Sequence, residues 1–183
     1  RVEQHVHNAR RRGLHVGLYA FLTRHGDGRT EADALQRVAE RFNVTRVALD
    51  WESDGGRGQM PASEARDGIA RLKSVRGECG LYASAWQFRD LGQTWDWVAS
   101  WTSTPPRWSY EFWQWSARPY DQNYFNGTPA ELEAFFDRTA PPAPKPVPRP
   151  TDPEPVEVNP MFNVAPLTTH RDAVLKPGTV LYR

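Results

Sequence analysis

Apolar positions in the first part of the chain recur at two spacings, one typical of helices and the other of strands. Val2, Val6 and Ala9 share the helical spacing, and the cationic residues before Gly13 are typical of a helix end. The apolar run over residues 15–22 then predicts a strand. A helix followed directly by a strand is the first unit of a pattern that repeats along the chain.

The same alternation continues to residue 136. Helix starts are predicted at Thr30, at Ser63 and at Thr128, where Pro129 occupies the first helical position. The strands predicted between and after these starts cover residues 46–51, 80–84, 97–101 and 112–116. Strands that alternate with helices pair in parallel through crossover connections. The sequence therefore predicts an α/β fold.

Two acidic residues, Asp50 and Glu52, lie at the carboxyl end of the strand predicted over residues 46–51. Because side chains alternate faces along a strand, both acids point one way and Trp51 points the other. Neighbouring carboxylates repel each other, so one can hold a proton while the other stays charged. Such a pair can cleave a glycosidic bond. Asp121 follows another predicted strand and is expected at the same edge.

Tryptophan is concentrated in the middle of the chain, where all eight tryptophans lie between Trp51 and Trp115. Aromatic faces that stack on sugar rings explain such a concentration, and so does a large aromatic core. Both explanations stay open for Trp95, Trp97 and Trp101, of which one or two are expected to face sugar.

Composition excludes several other classes of protein. The chain has 39% hydrophobic and 25% charged residues, as a globular protein does, and its net charge of +1 gives no strong attraction to nucleic acid or membranes. No apolar run approaches the ~20 residues that span a bilayer, and no signal peptide is visible. The single cysteine, Cys79, cannot form an intrachain disulfide and is predicted to be buried. His5, His7 and His15 lack a suitably spaced carboxylate, so no metal is predicted.

The composition changes abruptly after Ala140, which divides the chain into three predicted parts. Nine of the sixteen prolines fall between Pro141 and Pro160, a density that favours an extended spacer. We therefore predict a domain over residues 1–139, a proline-rich linker over residues 140–160, and the start of a C-terminal module over residues 161–183.

Six motifs, in order, resemble those of the glycoside hydrolase family 25 lysozymes, which are muramidases common among phage endolysins and bacterial autolysins. The resemblance covers roughly residues 1–138. The motifs are Tyr19-Ala20-Phe21, Asp50-Trp51-Glu52, Gly80-Leu81-Tyr82-Ala83-Ser84, Trp97-Val98-Ala99-Ser100-Trp101, Trp113-Gln114-Trp115-Ser116, and Asp121-Gln122-Asn123-Tyr124-Phe125-Asn126-Gly127.

The resemblance implies a TIM-like (β/α) barrel with a cleft for the glycan strands of bacterial peptidoglycan, and it implies no cofactor. Glu52 is implied as the general acid, while Asp50 and Asp121 support the charge that develops at the sugar or position its acetamido group. The residues implied to bind substrate are Tyr19, Phe21, Tyr82, Trp97 and Gln114.

One departure from the family pattern concerns the start of the barrel. Family members begin with a strand carrying an Asp-x-Ser motif, followed by a second βα unit, and this sequence starts after both. We therefore expect a piece of a longer protein, in which the Tyr19 strand has an open edge and the acidic cluster lacks one aspartate.

The function predicted from the resemblance is hydrolysis of the β-1,4 bond between N-acetylmuramic acid and N-acetylglucosamine. The enzyme is expected to be phage-encoded and to act on the host wall, or to be secreted. An alternative is a non-catalytic carbohydrate-binding or phage structural protein that keeps the barrel fold. The upstream sequence distinguishes the two, because an Asp-x-Ser strand there would complete the catalytic set.

Overall fold

The computed structural model describes residues 2–53, 58–119, 121–137, 173–175 and 179–182 of this protein. The predicted proline-rich linker lies outside the described residues, as does most of the predicted C-terminal module. No helix in the described ranges is both long enough and apolar enough to cross a membrane.

The described chain alternates helices and strands as the sequence predicts. The helices are α1 (Val2–Arg11), α2 (Gly28–Arg41), α3 (Ala62–Arg76) and α4 (Pro129–Asp137). The strands are β1 (His15–Phe21), β2 (Arg46–Asp50), β3 (Gly80–Ser84), β4 (Trp95–Ala99), β5 (Phe112–Ser116), β6 (Gln122–Phe125), β7 (Ala173–Leu175) and β8 (Thr179–Tyr182).

The helix starts agree with the sequence predictions at one of three places. Thr128 accepts a hydrogen bond from the Glu131 backbone and Glu131 accepts one from the Thr128 backbone, so the capping box is confirmed. The start predicted at Thr30 is wrong, because the side chain of Asp27 accepts from the Thr30 N–H at 2.8 Å and α2 begins at Gly28. The cap predicted at Ser63 is also wrong, because α3 begins one residue earlier, after Pro61.

The strands form one sheet in the order β6-β5-β4-β3-β2-β1-β8-β7. Strands β1 to β5 pair in parallel, whereas β6 runs antiparallel to β5. The six strands from β1 to β6, with their helices, make a half-barrel, so the predicted α/β class is confirmed. Parallel strands bring their carboxyl ends to one edge, called here the carboxyl edge, and the loops at this edge hold the candidate site.

The expectation of an open edge at the Tyr19 strand is wrong. Strand β8 pairs in parallel with β1, with His15 opposite Thr179 and Leu18 opposite Tyr182. Strand β7 then pairs antiparallel with β8. A strand close to the C-terminal end of the sequence therefore lies where the family pattern led us to expect unpaired backbone groups.

Two apolar clusters cover the two faces of the sheet. The outer cluster packs β1 to β4 against α1, α2 and α3, and it includes Leu49, Trp51 and Leu81. The inner cluster is aromatic and joins the concave face of the sheet to α4, with the members Tyr19, Ala48, Tyr82, Trp95, Trp97, Ala99, Phe112, Phe125, Leu132, Phe135 and Phe136. Side chains alternate between these clusters along β1 to β4, as the two faces of a covered sheet require.

A buried ion pair fixes α4 at the amino ends of the strands. Arg46, which begins β2, donates to Glu78 at 2.7 Å and to the carbonyl of Phe135 in α4, and its guanidinium lies over the Phe135 ring. The indole of Trp95 donates to the same Glu78 carboxylate at 2.9 Å. A Cβ atom at Gly80 would clash with the Trp95 ring, so glycine is required for this indole to lie across β3.

Candidate active site

The acids at the end of β2 are held by main-chain hydrogen bonds from both neighbouring segments. The N–H of Leu22 donates to the carbonyl of Asp50 at 2.9 Å, and the N–H of Trp51 donates to the carbonyl of Tyr82 at 2.8 Å. On the outer face, the Trp51 indole donates to the carbonyl of Met60 and packs against Arg89. Anchoring Trp51 outward directs Asp50 and Glu52 toward the concave side of the sheet.

The three predicted catalytic acids lie around one cavity at the carboxyl edge. Asp50 and Glu52 reach it from β2, and Asp121 reaches it from the connection between β5 and β6. The cavity holds about 180 Å³, and its lining residues are Tyr19, Asp50, Glu52, Tyr82, Trp97, Trp101, Gln114, Ala117 and Asp121. Residues far apart in sequence therefore form a single acidic and aromatic site.

Tyr82 lines this cavity and remains a hydrogen-bond donor. Burial, reinforced by the charges of Glu52, Asp50 and Asp121, raises the pKa of Tyr82 well above its ordinary value. Its hydroxyl donates to Oε1 of Gln114 at 2.9 Å. The protonated phenol therefore adds no negative charge to the three acids.

Two indoles are oriented by amide side chains in the same region. Trp101 donates to Oε1 of Gln114 at 3.2 Å, so this oxygen accepts from both Trp101 and Tyr82. Trp97 donates to Oδ1 of Asn123 at 2.6 Å and meets the Tyr82 ring edge-on, with the ring centres 4.8 Å apart. Gln114 and Asn123 lie opposite each other on β5 and β6, so one cross-strand pair orients both indoles.

The sequence missed Asn123 and Ala117 as members of this region, and it left Trp101 undecided between cleft and core. Asn123 is 2% exposed. Its place in the motif that begins at Asp121 is the one sequence feature that could have indicated its role. Ala117 carries no chemical signal. Phe21, which the resemblance implied as a substrate-binding residue, is buried and does not line the cavity.

The eight tryptophans divide between core and surface, so an aromatic core accounts for part of their number and sugar stacking stays a prediction for the others. Trp51, Trp95, Trp97 and Trp113 are buried, and Trp115 is half-buried. The three exposed indoles belong to Trp86, Trp101 and Trp108.

Other candidate groups lie away from the cavity. Cys79 is fully buried, and burial raises the pKa of its thiol, which leaves it unreactive. The ring of His15 bonds Glu133 at 2.6 Å and stacks on Phe136, so it ties β1 to α4. Within the described part of the chain, no group of three or more His, Cys, Asp or Glu residues is arranged to hold a metal ion.

Comparison with known proteins identifies the family of this chain. Residues 1–124 match the family described as glycosyl hydrolases family 25. The structure is similar to the catalytic domain of endolysin ply40 from bacteriophage P40 of Listeria monocytogenes, with 25% identity and a TM-score of 0.62. This likeness covers 75% of the present chain and 79% of that domain.

A second solved structure has the same fold. It is GHIP, a family 25 glycosyl hydrolase of Streptococcus pneumoniae that participates in host cell invasion, with 17% identity and a TM-score of 0.56. The likeness covers 70% of the present chain and 66% of GHIP. No curated protein sequence matches the chain. The family match nevertheless spans most of the chain, which therefore belongs to glycosyl hydrolase family 25, as a peptidoglycan hydrolase of the muramidase type.

Proposed function

We propose that this chain cleaves the β-1,4 bond after N-acetylmuramic acid in peptidoglycan, with Glu52 as the general acid. The observation that supports this assignment is the convergence of Asp50, Glu52 and Asp121 on one cavity. Hydrolysis of a glycosidic bond needs an acid that protonates the leaving oxygen. It also needs a negative charge beside the sugar ring, which becomes positively charged in the transition state. These three acids supply both requirements.

The surroundings of the acids divide the roles between them. Asp50 is only 5% exposed and has Tyr82 beside it, so its carboxylate is shielded and suited to support positive charge on the sugar. Glu52 follows the end of β2 and is half-buried, so it can meet the glycosidic oxygen of a chain lying in the cleft. Asp121 lines the same cavity from the connection between β5 and β6, and it supports charge or holds the acetamido group.

The aromatic lining is suited to an amphipathic sugar. Tyr19, Tyr82 and Trp97 present ring surface to the cavity. The polar Gln114 side chain accepts hydrogen bonds from Tyr82 and from Trp101. The non-catalytic alternative requires no such concentration of carboxylates around one cavity. We infer that the enzyme acts at the bacterial cell wall, where this polymer is found.

The decisive experiment replaces the carboxyl of Glu52 by an amide of the same shape. Glu52→Gln is expected to lower the release of reducing sugar from purified peptidoglycan by ~100- to 10,000-fold, because a general acid contributes that much to the rate. Glu40→Gln makes the same chemical change on the exposed face of α2 and should leave the rate unchanged.

Thermal unfolding must accompany these assays. The assignment holds if Glu52→Gln unfolds as the parent does and has lost the activity. Near-parental activity in the Glu52→Gln protein would remove Glu52 from the mechanism and leave the general acid to be sought at Asp50 or Asp121.

A further inference from the structure

Three exposed tryptophans lie beyond the strand ends that carry the acidic cavity. Trp86 is 81% exposed and follows β3, while Trp101 and Trp108 are 68% and 45% exposed and follow β4. All three therefore belong to loops at the carboxyl edge. Exposed indole surface is unfavourable in water, and its concentration beside a cavity indicates a binding surface.

Trp86 is the most exposed of the three, although the turn that carries it is firmly held. The N–H groups of Gln87 and Phe88 both donate to the carbonyl of Ser84, at 2.9 and 2.8 Å. The side chains of Gln87 and Phe88 are buried, and Gln87 donates to Gln59 at 3.1 Å. The two residues that follow Trp86 thus point inward while its own indole points into solvent.

A second contact fixes this turn from outside. The Trp108 indole donates to the carbonyl of Ala85 at 2.9 Å, and its ring packs on Phe88 with the ring centres 5.6 Å apart. Trp108 therefore has a structural reason for its position. Within the described part of the chain, the indole of Trp86 forms no such hydrogen bond, and it is 81% exposed. Contacts within the protein therefore do not explain why a tryptophan occupies this position.

The turn lies beside the exposed rim of the cavity. The N–H of Ala85 donates to the carbonyl of Ala99 at 2.8 Å, which joins the residue before Trp86 to the end of β4. Trp101 comes two residues after Ala99 and lines the cavity. Trp86 and Trp101 are therefore carried by two loops that are bonded together at their bases.

The size of the cavity requires that a polymer extend beyond it. Its volume of about 180 Å³ is small beside the ~300–1,000 Å³ of clefts that enclose whole drug-sized ligands. A glycan strand cut within its length must leave such a cavity over the rim on both sides. On the β3–β4 side, Trp101 lines the cavity, and the loop that carries Trp86 is bonded to the segment just before Trp101.

We propose that Trp86 is a sugar-binding platform, on which a ring of the glycan strand stacks after the strand has passed Trp101. This inference rests on the proposed function and adds a contact outside the cavity. An indole has a broad apolar face that suits the C–H face of a pyranose ring. Because the turn is already rigid, little conformational entropy is lost when the sugar binds.

The test measures binding as a function of glycan length. Peptide-free peptidoglycan strands, separated into tetrasaccharides and strands longer than ten sugars, are titrated calorimetrically into the Glu52→Gln protein with and without Trp86→Ala. Loss of one stacking contact should weaken binding of the long strands by ~3- to 10-fold and leave the tetrasaccharide unaffected. Trp86→Phe keeps an aromatic face and should retain most of the affinity.

The control is Val75→Ala, which removes exposed apolar surface from the end of α3, away from the carboxyl edge. Thermal unfolding shows that each variant is folded. Equal affinities of the Trp86→Ala and parent proteins for long strands would overturn the proposal, and so would an equal loss for both lengths. Cleavage by the Glu52→Gln protein would instead contradict the proposed function, so the two failures are distinct.

Discussion

At the scale of single residues, the site depends on amides and indoles that never need to touch the scissile bond. Gln114 and Asn123 face each other across β5 and β6, and each accepts a hydrogen bond from a tryptophan. Trp97 and Asn123 are almost wholly buried, so their hydrogen bond has no water to replace it. The floor of the cavity is therefore fixed by a polar contact within an aromatic cluster.

Replacing Asn123 by leucine tests this contact. Asn123→Leu leaves the buried indole N–H of Trp97 without its acceptor, and the free energy of unfolding is expected to fall by ~1–3 kcal/mol. Urea unfolding of Trp97→Phe, Asn123→Leu and the double variant gives the coupling between the two residues. Strictly additive losses would show that the hydrogen bond contributes nothing of its own.

At the scale of elements, α4 is joined to the sheet at three places along its length. His15 in β1 pairs with Glu133, the hydroxyl of Thr45 donates to the carbonyl of Phe136 at 2.9 Å, and Arg46 donates to the carbonyl of Phe135. The Arg46–Glu78 pair at this junction is almost wholly buried. Ion pairs without solvent leave a costly charge when one partner is removed.

Removal of Glu78 should therefore destabilise the protein far more than removal of an exposed acid. Glu78→Leu leaves Arg46 unpaired and removes the acceptor of the Trp95 indole, and we expect a loss of ~3–5 kcal/mol in thermal or urea unfolding. Glu3→Leu is the matched control, because its pair with Arg41 is exposed and worth at most ~1 kcal/mol. Similar losses in the two variants would contradict a special role for the buried pair.

The sequence predicted the elements better than their ends. The acids of β2 and the capping box at Thr128 follow from local patterns, and the structure has them in place. Strand β4 begins at Trp95, two residues before the predicted start, because Trp95 packs in the inner aromatic cluster, a tertiary contact that local patterning does not show. The start of α2 was misplaced because Asp27 competes with Thr30 as a cap.

The residues of the candidate site also fall into those that the sequence could predict and those that it could not. Carboxylates at strand ends are visible in a sequence, so Asp50, Glu52 and Asp121 could be expected at one edge. The role of Asn123 could not, since it depends on register between β5 and β6. Phe21 shares a face of β1 with Tyr19, yet only Tyr19 lines the cavity, and that difference depends on packing in three dimensions.

At the scale of the whole molecule, the sheet joins the beginning of the chain to its end. Four residues of β8 pair with β1, although the two strands lie at opposite ends of the sequence. We propose that residues 140–160 are a linker between a barrel domain and a C-terminal segment. The pairing of β8 with β1 adds a specific question about that segment, namely whether the barrel depends on it.

A variant of the intact chain with two prolines in β8 tests whether the barrel depends on this strand. Val180→Pro with Leu181→Pro removes two backbone donors from β8, one of which faces β1 and the other β7, and pairing with β1 should be lost. Backbone hydrogen bonds contribute ~0.5–1.5 kcal/mol each, so the melting temperature should fall by several degrees. Val156→Pro, in the predicted linker, is the control. An unchanged melting temperature in the β8 variant would mean that the barrel is stable without this strand.

The reversed direction of β6 has a consequence for when the enzyme can first act. Because β6 runs opposite to β5, the connection that carries Asp121 lies at the same edge as the end of β2. During synthesis, Asp50 and Glu52 leave the ribosome long before Asp121 and the strands that hold it. A growing chain therefore carries two of its acids without the third, and a barrel interrupted before β6 cannot assemble the set. If the proposed roles of the three acids hold, the growing chain is therefore inactive until β6 has been translated.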